Sequence, residues 1–307
     1  MANQICVAGS SNTDMILQMA RIPRPGETIL GGEFSMAAGG KGANQAVAAA
    51  RAGGRVTFIA RVGDDMFGRQ AVEGFVRDGI NVEHVTRDAQ AASGVALIFV
   101  AAGGENSIGV ASGANGRLCP DDITRASDAI VTADVLVMQL ETPLETVEAA
   151  ARIAAAAGVR VILNPAPAQP LSDAILTHVS ILTPNETEAE LLTGIVVNDD
   201  PSTAKAAAAL LAKGPAAVLI TLGPRGTFVA TADGQELIPS FKVDAVDTTA
   251  AGDVFNGALA VGLSQGKPLH DAVRFANAAA ALSVTKLGAQ PSAPARQDIE
   301  AFIAERG

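Results

Sequence analysis

Tryptophan and tyrosine are absent from the 307 residues, and phenylalanine occurs only ten times. Stacking successive bases needs aromatic faces, so this shortage argues against a binder of single-stranded nucleic acid. Positive charge is also scarce: 22 Lys and Arg stand against 32 Asp and Glu, a formal charge of −10. That sign repels nucleic-acid backbones and anionic lipid, so neither nucleic acid nor membrane is an expected partner, and any polyanionic ligand must be held locally. Cysteine is limited to Cys6 and Cys119, each alone in its segment, with no spacing for a metal cluster or a disulfide framework. Both are expected as buried filler in a reducing compartment. Met1 to Ser10 holds no basic stretch ahead of a long apolar core, and the Ala-rich runs are broken by Arg51 and Arg152. The expectation is a soluble, cytoplasmic protein.

What is present is 49% hydrophobic, enough for a large core, with alanine in place of aromatics. Short apolar runs at Gln4–Ala8, Val56–Ala60, Val135–Met138, Val159–Leu163, Ile181–Leu182 and Val218–Thr221 predict parallel strands covered on both faces. Between them, helical patterns run over about 42–53, 66–79, 143–157, 202–213, 250–265 and 268–286, several ending at glycine. Strand, crossover helix and strand predict an α/β three-layer sandwich around a mainly parallel sheet. No repeat or linker interrupts 1–307, which reads as one domain.

Two segments break the rhythm. Residues 13–35 read as two strands around Pro23-Arg-Pro-Gly26, and 93–110 as another pair around Ala102-Gly-Gly-Glu105. They predict a small antiparallel sheet inserted twice, over about 13–38 and 92–111; ordinary edge hairpins would leave the same trace.

Asp247-Thr-Thr-Ala-Ala-Gly-Asp253 follows a predicted strand at Phe241–Val243 and opens a helix carrying Val254, Phe255, Ala258 and Leu259. At a helix start the first N–H groups lack intrahelical partners and the dipole is positive. The amides of Ala250, Ala251, Gly252 and Asp253 are thereby placed to hold phosphate oxygens. Asp253 beside such an anion hole either accepts the proton of an attacking hydroxyl or merely complements the helix dipole.

Gly39-Gly-Lys-Gly-Ala-Asn44 opens another helix. It is not a Walker A loop, because no glycine lies at the upstream spacing and no Ser or Thr follows Lys41. Its glycines permit close approach, and Lys41 and Asn44 offer donors to hydroxyls or phosphate; a plain turn is the alternative. Asn12 and Asp14, in Gly9-Ser-Ser-Asn-Thr-Asp14, follow the first strand. They are placed either to grip a polyol or to form an Asx turn.

Together these segments resemble the ribokinase family of sugar kinases over almost the whole sequence. The two signatures stand at 39–44 and 247–253. Between them Gly103–Ile108, Gly113-Ala-Asn115, Asn164-Pro-Ala-Pro167, Pro184–Glu188 and Thr221-Leu-Gly223 carry the likeness. The resemblance implies ATP and D-ribose as substrates, with transfer to the sugar's O5 by in-line attack and Asp253 as base. It places the sugar among Asn12, Asp14, Gly40, Lys41, Gly42, Asn44, Glu141 and Asp253. It places the nucleotide along Thr221, Gly223, Gly226 and Gly252 with Asn277 near the base, and Mg2+ with its waters beside Asn185 and Glu188. A solvated helix face is the plain alternative for Glu188. It further implies an activating K+ held by oxygens of Asp247, Thr249, Ser283, Lys286, Gly288 and Ser292, with Lys286 and Gly288 contributing backbone carbonyls. The inserted sheet is implied to be a lid that forms a homodimer, covering Ile16, Leu17, Ile29, Leu97 and Phe99. A kinase for fructose, 2-deoxyribose or adenosine, or a sugar sensor without turnover, fits the same motifs.

Overall fold

The computed structural model describes residues 3–306. The protein begins β1 (Gln4–Ala8), β2 (Asn12–Met19), β3 (Glu33–Gly39), α1 (Lys41–Arg51), β4 (Arg55–Gly63), α2 (Met66–Arg77), β5 (Val85–Asp88), β6 (Gly94–Ala101) and β7 (Asn106–Ala111). Next come α3 (Pro120–Arg125), α4 (Ser127–Val131), β8 (Val135–Met138), α5 (Leu144–Ala156), β9 (Arg160–Leu163), α6 (Asp173–Leu176), β10 (Ile181–Leu182), α7 (Glu186–Thr193) and α8 (Asp200–Leu211). The last part holds β11 (Ala217–Thr221), β12 (Thr227–Thr231), β13 (Gly234–Ile238), α9 (Ala251–Ser264), α10 (Leu269–Ser283) and α11 (Arg296–Arg306).

The large sheet has the order β13-β12-β11-β10-β9-β8-β1-β4-β5. From β11 to β5 every neighbouring pair is parallel, while β12 and β13 add an antiparallel edge. The strands are apolar throughout because each face meets its own helical layer. Ile5 and Val7 of β1 enter a core with α1, α9 and α10, while Cys6 and Ala8 enter the opposite core with α4, α5 and α8. The α/β sandwich expected from the alternating pattern is therefore the observed one. Burial pushes the Cys6 thiol up to about 12, but Cys119 is only half-buried rather than buried filler. No helix among the described residues is long and apolar enough to cross a membrane.

Alanine lets α1 and α9 approach closely. A Cβ on Gly257 of α9 would stand 2.7 Å from both the Ala48 Cβ and the Gln45 carbonyl of α1. This crossing brings the two helix starts, 41–45 and 250–253, to one place.

Two expectations are corrected. Phe241–Val243 forms no strand; the β12–β13 hairpin takes the sheet edge, and Phe241 instead packs against Phe302 of α11, the rings tilted with centroids 5.2 Å apart. The small sheet, ordered β3-β2-β6-β7, is mixed rather than antiparallel. Each hairpin is antiparallel, but the two leave the body side by side, so β2 and β6 pair in parallel.

Candidate active site

A cavity of about 340 Å³ lies where the carboxyl ends of the parallel strands meet the small sheet. Open α/β sheets bind ligands there, beyond the strand ends. A wider hollow of about 750 Å³ opens at the opposite ends, beside Asp134, Arg160 and Ser180. The former gathers Asn12, Asp14, Gly40, Lys41, Asn44, Glu141, Asn185, Glu188, Thr221, Thr249, Ala250, Ala251, Gly252 and Asp253. Gly42 sits behind the wall, its N–H donating to Ser10 Oγ at 3.3 Å.

Gly40 precedes α1 with φ 88°, in the left-handed region, and a Cβ there would meet the Asn12 amide nitrogen at 2.6 Å. Glycine is needed on both counts. The turn aims the Lys41 N–H at Glu141 Oε2, 3.0 Å away, and Ser10 Oγ donates to the same oxygen. Asn12 and Asp14 stand in β2, so neither forms an Asx turn.

Ala250 caps α9 with φ 60° and ψ 13°, the one non-glycine residue in the left-handed region among the described residues. That conformation costs an alanine roughly 1–2 kcal/mol, a strain that collects at functional turns. The Ala251 N–H, expected to be free, donates to Thr248 O at 3.2 Å because the turn closes on itself. The amides of Ala250, Gly252 and Asp253 have no partner among the described residues, and their places at a helix start suit an anion.

The Asp253 side chain makes no bond to these amides. Its Oδ2 accepts from Asn44 Nδ2 and its Oδ1 from Gln45 Nε2, both at 2.9 Å. A helix-capping role is thereby set aside, and each oxygen keeps a lone pair for a proton.

Burial raises the Asp253 pKa; Lys41 and the Asn44 and Gln45 bonds pull it down, and Glu141 adds to the rise. Asp14 is pushed up to about 6 by burial, then by Glu141 and Asp253, against Lys41. Burial lowers the Lys41 ammonium, but Asp253, Glu141, Glu188 and Asp14 outweigh it and the net shift is upward. One cation thus offsets the charge of four carboxylates without a direct ion pair to any of them among the described residues.

On the far side, Asn185 caps α7 and Glu188 closes a capping box. The Asn185 N–H donates to Glu188 Oε2 at 2.9 Å and its Nδ2 to Oε1 at 3.0 Å. Glu188 is 9% exposed, so it is not a solvated face. Burial raises its pKa, eased by the Asn185 N–H and Lys41 and reinforced by Asp253. Thr221 bridges to Asn185 at the adjacent strand ends. Gly223 and Gly226 follow in the turn after β11, with φ 55° and 110° and outside the cavity lining.

Asn277 is engaged inside the protein: its Nδ2 donates to Ile238 O at 3.1 Å and its Oδ1 accepts from Thr227 Oγ1 at 2.8 Å. It anchors the end of β13 and is not on the cavity wall. Asp247 accepts from the Thr249 N–H at 2.9 Å and from the Gly288 N–H at 2.8 Å. Burial would raise the Asp247 pKa, but bonds from Thr249 and Gly288 hold it low. Ser283 and Ser292 are buried, their hydroxyls donating to Ala280 O and Ala289 O.

Sequence reasoning missed a buried amide relay beneath the base. Gln45 Nε2 also donates to Asn164 Oδ1 at 3.1 Å, and Asn164 Nδ2 to Thr183 O at 3.1 Å. Thr183 Oγ1 then donates to Asn256 Oδ1 at 2.7 Å, and Asn256 Nδ2 to Gly252 O at 2.8 Å. The relay joins the carboxylate of Asp253 to the carbonyl of the neighbouring anion-binding turn. Its signal in the sequence is Gln45 directly before the run Ala46-Val-Ala-Ala-Ala50, since a buried amide must be partnered.

The sequence profile of pfkB family carbohydrate kinases matches residues 2–296. A ribokinase of Haemophilus influenzae is 48% identical over 99% of each protein. A deoxyribokinase of Salmonella typhi is 39% identical over 97% of this protein and 98% of its own length. The solved ribokinase of Arabidopsis thaliana, complexed with ribose and ATP, superposes with a TM-score of 0.93 at 32% identity, covering 99% of both. A match of this extent, on a protein whose paired helix starts bring a buried carboxylate beside free amides, places it: the protein belongs to the pfkB family of carbohydrate kinases.

Proposed function

We propose that this protein transfers the γ-phosphoryl group of ATP to O5 of D-ribose, giving ribose 5-phosphate and ADP. The observation that carries the reading is Asp253: buried, ionisable, aimed away from its own helix amides and adjacent to three free ones. Phosphoryl transfer needs placement, charge neutralisation and a proton acceptor more than covalent help. Asp253 receives the O5 proton as the bond to phosphorus forms, while the amides of Ala250, Gly252 and Asp253 face the charge spread over the phosphoryl oxygens. A coupled ADP-release assay over D-ribose, 2-deoxyribose, fructose and adenosine tests this. A higher kcat/KM for another acceptor overturns the sugar, and no ADP release with any of them overturns the reaction.

Asn12, Asp14, Lys41, Asn44 and Glu141 hold the sugar. An ionised Asp14 accepts from a hydroxyl through both oxygens and more strongly than the neutral acid, so KM for D-ribose is expected to rise as pH falls through about 6, read from initial rates at fixed ATP. The same group binds an extra proton in the folded state between its ordinary pKa of 3.8 and about 6, so its contribution to stability falls as pH rises across that window. A flat KM profile would falsify the Asp14 assignment.

Thr221, Gly223 and Gly226 lie along the nucleotide. Asn185 and Glu188 face the nucleotide's magnesium; with no cluster of three or more metal-ligating side chains among the described residues, the ion keeps most of its water, as Mg2+ prefers. The metal neutralises phosphate charge.

An activating potassium ion is the next part of the reading. Val246 and Asp247 amides donate to Val284 O at 2.7 and 3.1 Å, tying the 246–249 turn to the 284–288 turn. Oxygens of Asp247, Thr249, Ser283, Lys286, Gly288 and Ser292 would hold the ion and keep the 250–253 turn ordered. Replacing KCl by tetramethylammonium chloride at equal ionic strength is expected to lower kcat several-fold; equal rates reject the site.

The small sheet serves as lid and dimer contact. Its inner face turns Ala96, Ile98, Ile108 and Val110 towards the cavity, which supports water exclusion on closure. Its outer face leaves Phe34 62%, Met36 51% and Leu97 50% exposed. Of the apolar residues expected to need cover, only Leu97 is exposed; Ile16, Leu17, Ile29 and Phe99 are half-buried, Ile16 because it falls on the inner face with Asp14. Two copies joined through the outer face would bury this patch. Sedimentation velocity is expected to show a dimer that Leu97→Asp converts to monomer; a monomeric wild type rejects the contact. Cysteines left free support a reducing, cytoplasmic setting.

A further inference from the structure

Asn115 ends the motif Gly113-Ala-Asn115 and lies outside the cavity lining, yet it is 2% exposed and spends its whole amide on the residues that begin the small sheet. Its Oδ1 accepts the Ser11 backbone N–H at 2.9 Å. Its Nδ2 donates to Ser11 O at 3.1 Å and to Asn12 Oδ1 at 2.7 Å. A backbone N–H only donates and a backbone carbonyl only accepts, so Ser11 dictates which end of the Asn115 amide is oxygen. With that end fixed, Asn12 must turn its own oxygen to Asn115, which leaves its NH2 group for the cavity that Asn12 lines. The pair sits over Gly94, the register partner of Asn12; a Cβ there would stand 2.2 Å from Asn12 Oδ1 and 2.3 Å from Asn115 Nδ2.

Asn44 has the opposite polarity. Its NH2 is committed to the Asp253 carboxylate, and its Oδ1 is buried without a partner. The carboxylates of Asp14, Glu141 and Asp253 put acceptors on the cavity wall, beside the donor side chains of Lys41 and Asn12. A sugar hydroxyl has one proton to give. Once that proton goes to a carboxylate, the hydroxyl oxygen still accepts from a donor, and the Asn12 NH2 is placed to be one.

We propose that Asn115 is a positioning residue that sets the hydrogen-bond polarity of the sugar site, holding Asn12 as a donor to one ribose hydroxyl. This rests on the reading that Asn12 grips the sugar. Asn115→Asp keeps an acceptor for the Ser11 N–H but turns a carboxylate oxygen to Asn12, which must then give its NH2 to residue 115 and show oxygen to the cavity.

The expected result is a KM for D-ribose about 10–100-fold higher, the worth of a lost hydrogen bond that leaves a group unpaired. Both kcat at saturating ribose and KM for ATP stay within about twofold, a split that general damage to the fold would not produce. In an Asn12→Ala background the added Asn115→Asp change costs less than about threefold, because the partner it acts through is gone. Asn12→Asp, which shows an oxygen to the sugar while leaving Asn115 untouched, raises the ribose KM at least as much and serves if Asn115→Asp does not fold. The proposal is overturned if folded Asn115→Asp has an unchanged ribose KM, if its cost is the same in both backgrounds, or if Asn12→Asp binds ribose like the wild type. Wild-type ADP release measured alongside keeps the two readings apart, since its absence with every sugar condemns the function rather than the positioning.

Discussion

Asp253→Asn is expected to lower kcat by about 10²–10⁴-fold, the usual worth of a proton acceptor placed at the reacting group. Ribose binding by calorimetry should move far less. The amide is the same shape but brings an NH2 where two donors, Asn44 Nδ2 and Gln45 Nε2, already point. One of them must turn. Asn44 can, because its Oδ1 has no partner and accepts from the new NH2 once the side chain rotates. Gln45 cannot, since its Oε1 accepts from Gln139 Nε2 at 2.6 Å and its Nε2 also serves Asn164. The variant should therefore fold, bind sugar and fail to turn over. Turnover comparable to the wild type removes Asp253 from the chemistry.

Lys41→Met is expected to reduce kcat/KM for D-ribose by about 10²–10³-fold at pH 7, the scale of leaving buried charge without its partner. Lys41 is attracted by Asp253, Glu141, Glu188 and Asp14 together, and its ammonium lowers the pKa of Asp14, Glu188 and Asp253 in return. Removing it lets all three rise further. The acid limb of the kcat/KM profile should then shift to higher pH, because the carboxylates that must be ionised hold their protons longer. An unshifted limb means that Lys41 does not neutralise this cluster.

The corrections share a cause. Phe241–Val243 has a strand's apolar alternation, but the β12–β13 hairpin occupies the edge it would need. The small sheet was expected to be antiparallel because each hairpin declares its own turn, whereas nothing local states how two hairpins pair with each other. Asn277, expected near the nucleotide base, is bonded inside the protein to Ile238 O and Thr227 Oγ1, partners that no local pattern announces. Residues at helix starts were far more legible. The glycine-flanked turns at 39–44 and 247–253 are local backbone arrangements, written in consecutive residues.

Sequence alone determined the α/β alternation, the two helix starts and the chemistry of the residues they carry, because periodicity, glycine and helix ends act over a few residues. Tertiary structure alone decided which side chains meet. Asn44 and Asp253 are 209 positions apart, and Asn12 and Asn115 are 103 apart. Those bonds orient Asp253 and turn the Asn12 amide, and they exist only because the α1–α9 crossing and the turn beside Gly94 admit no bulk between their backbones. Packing of that kind depends on the whole fold, and no window of sequence contains it.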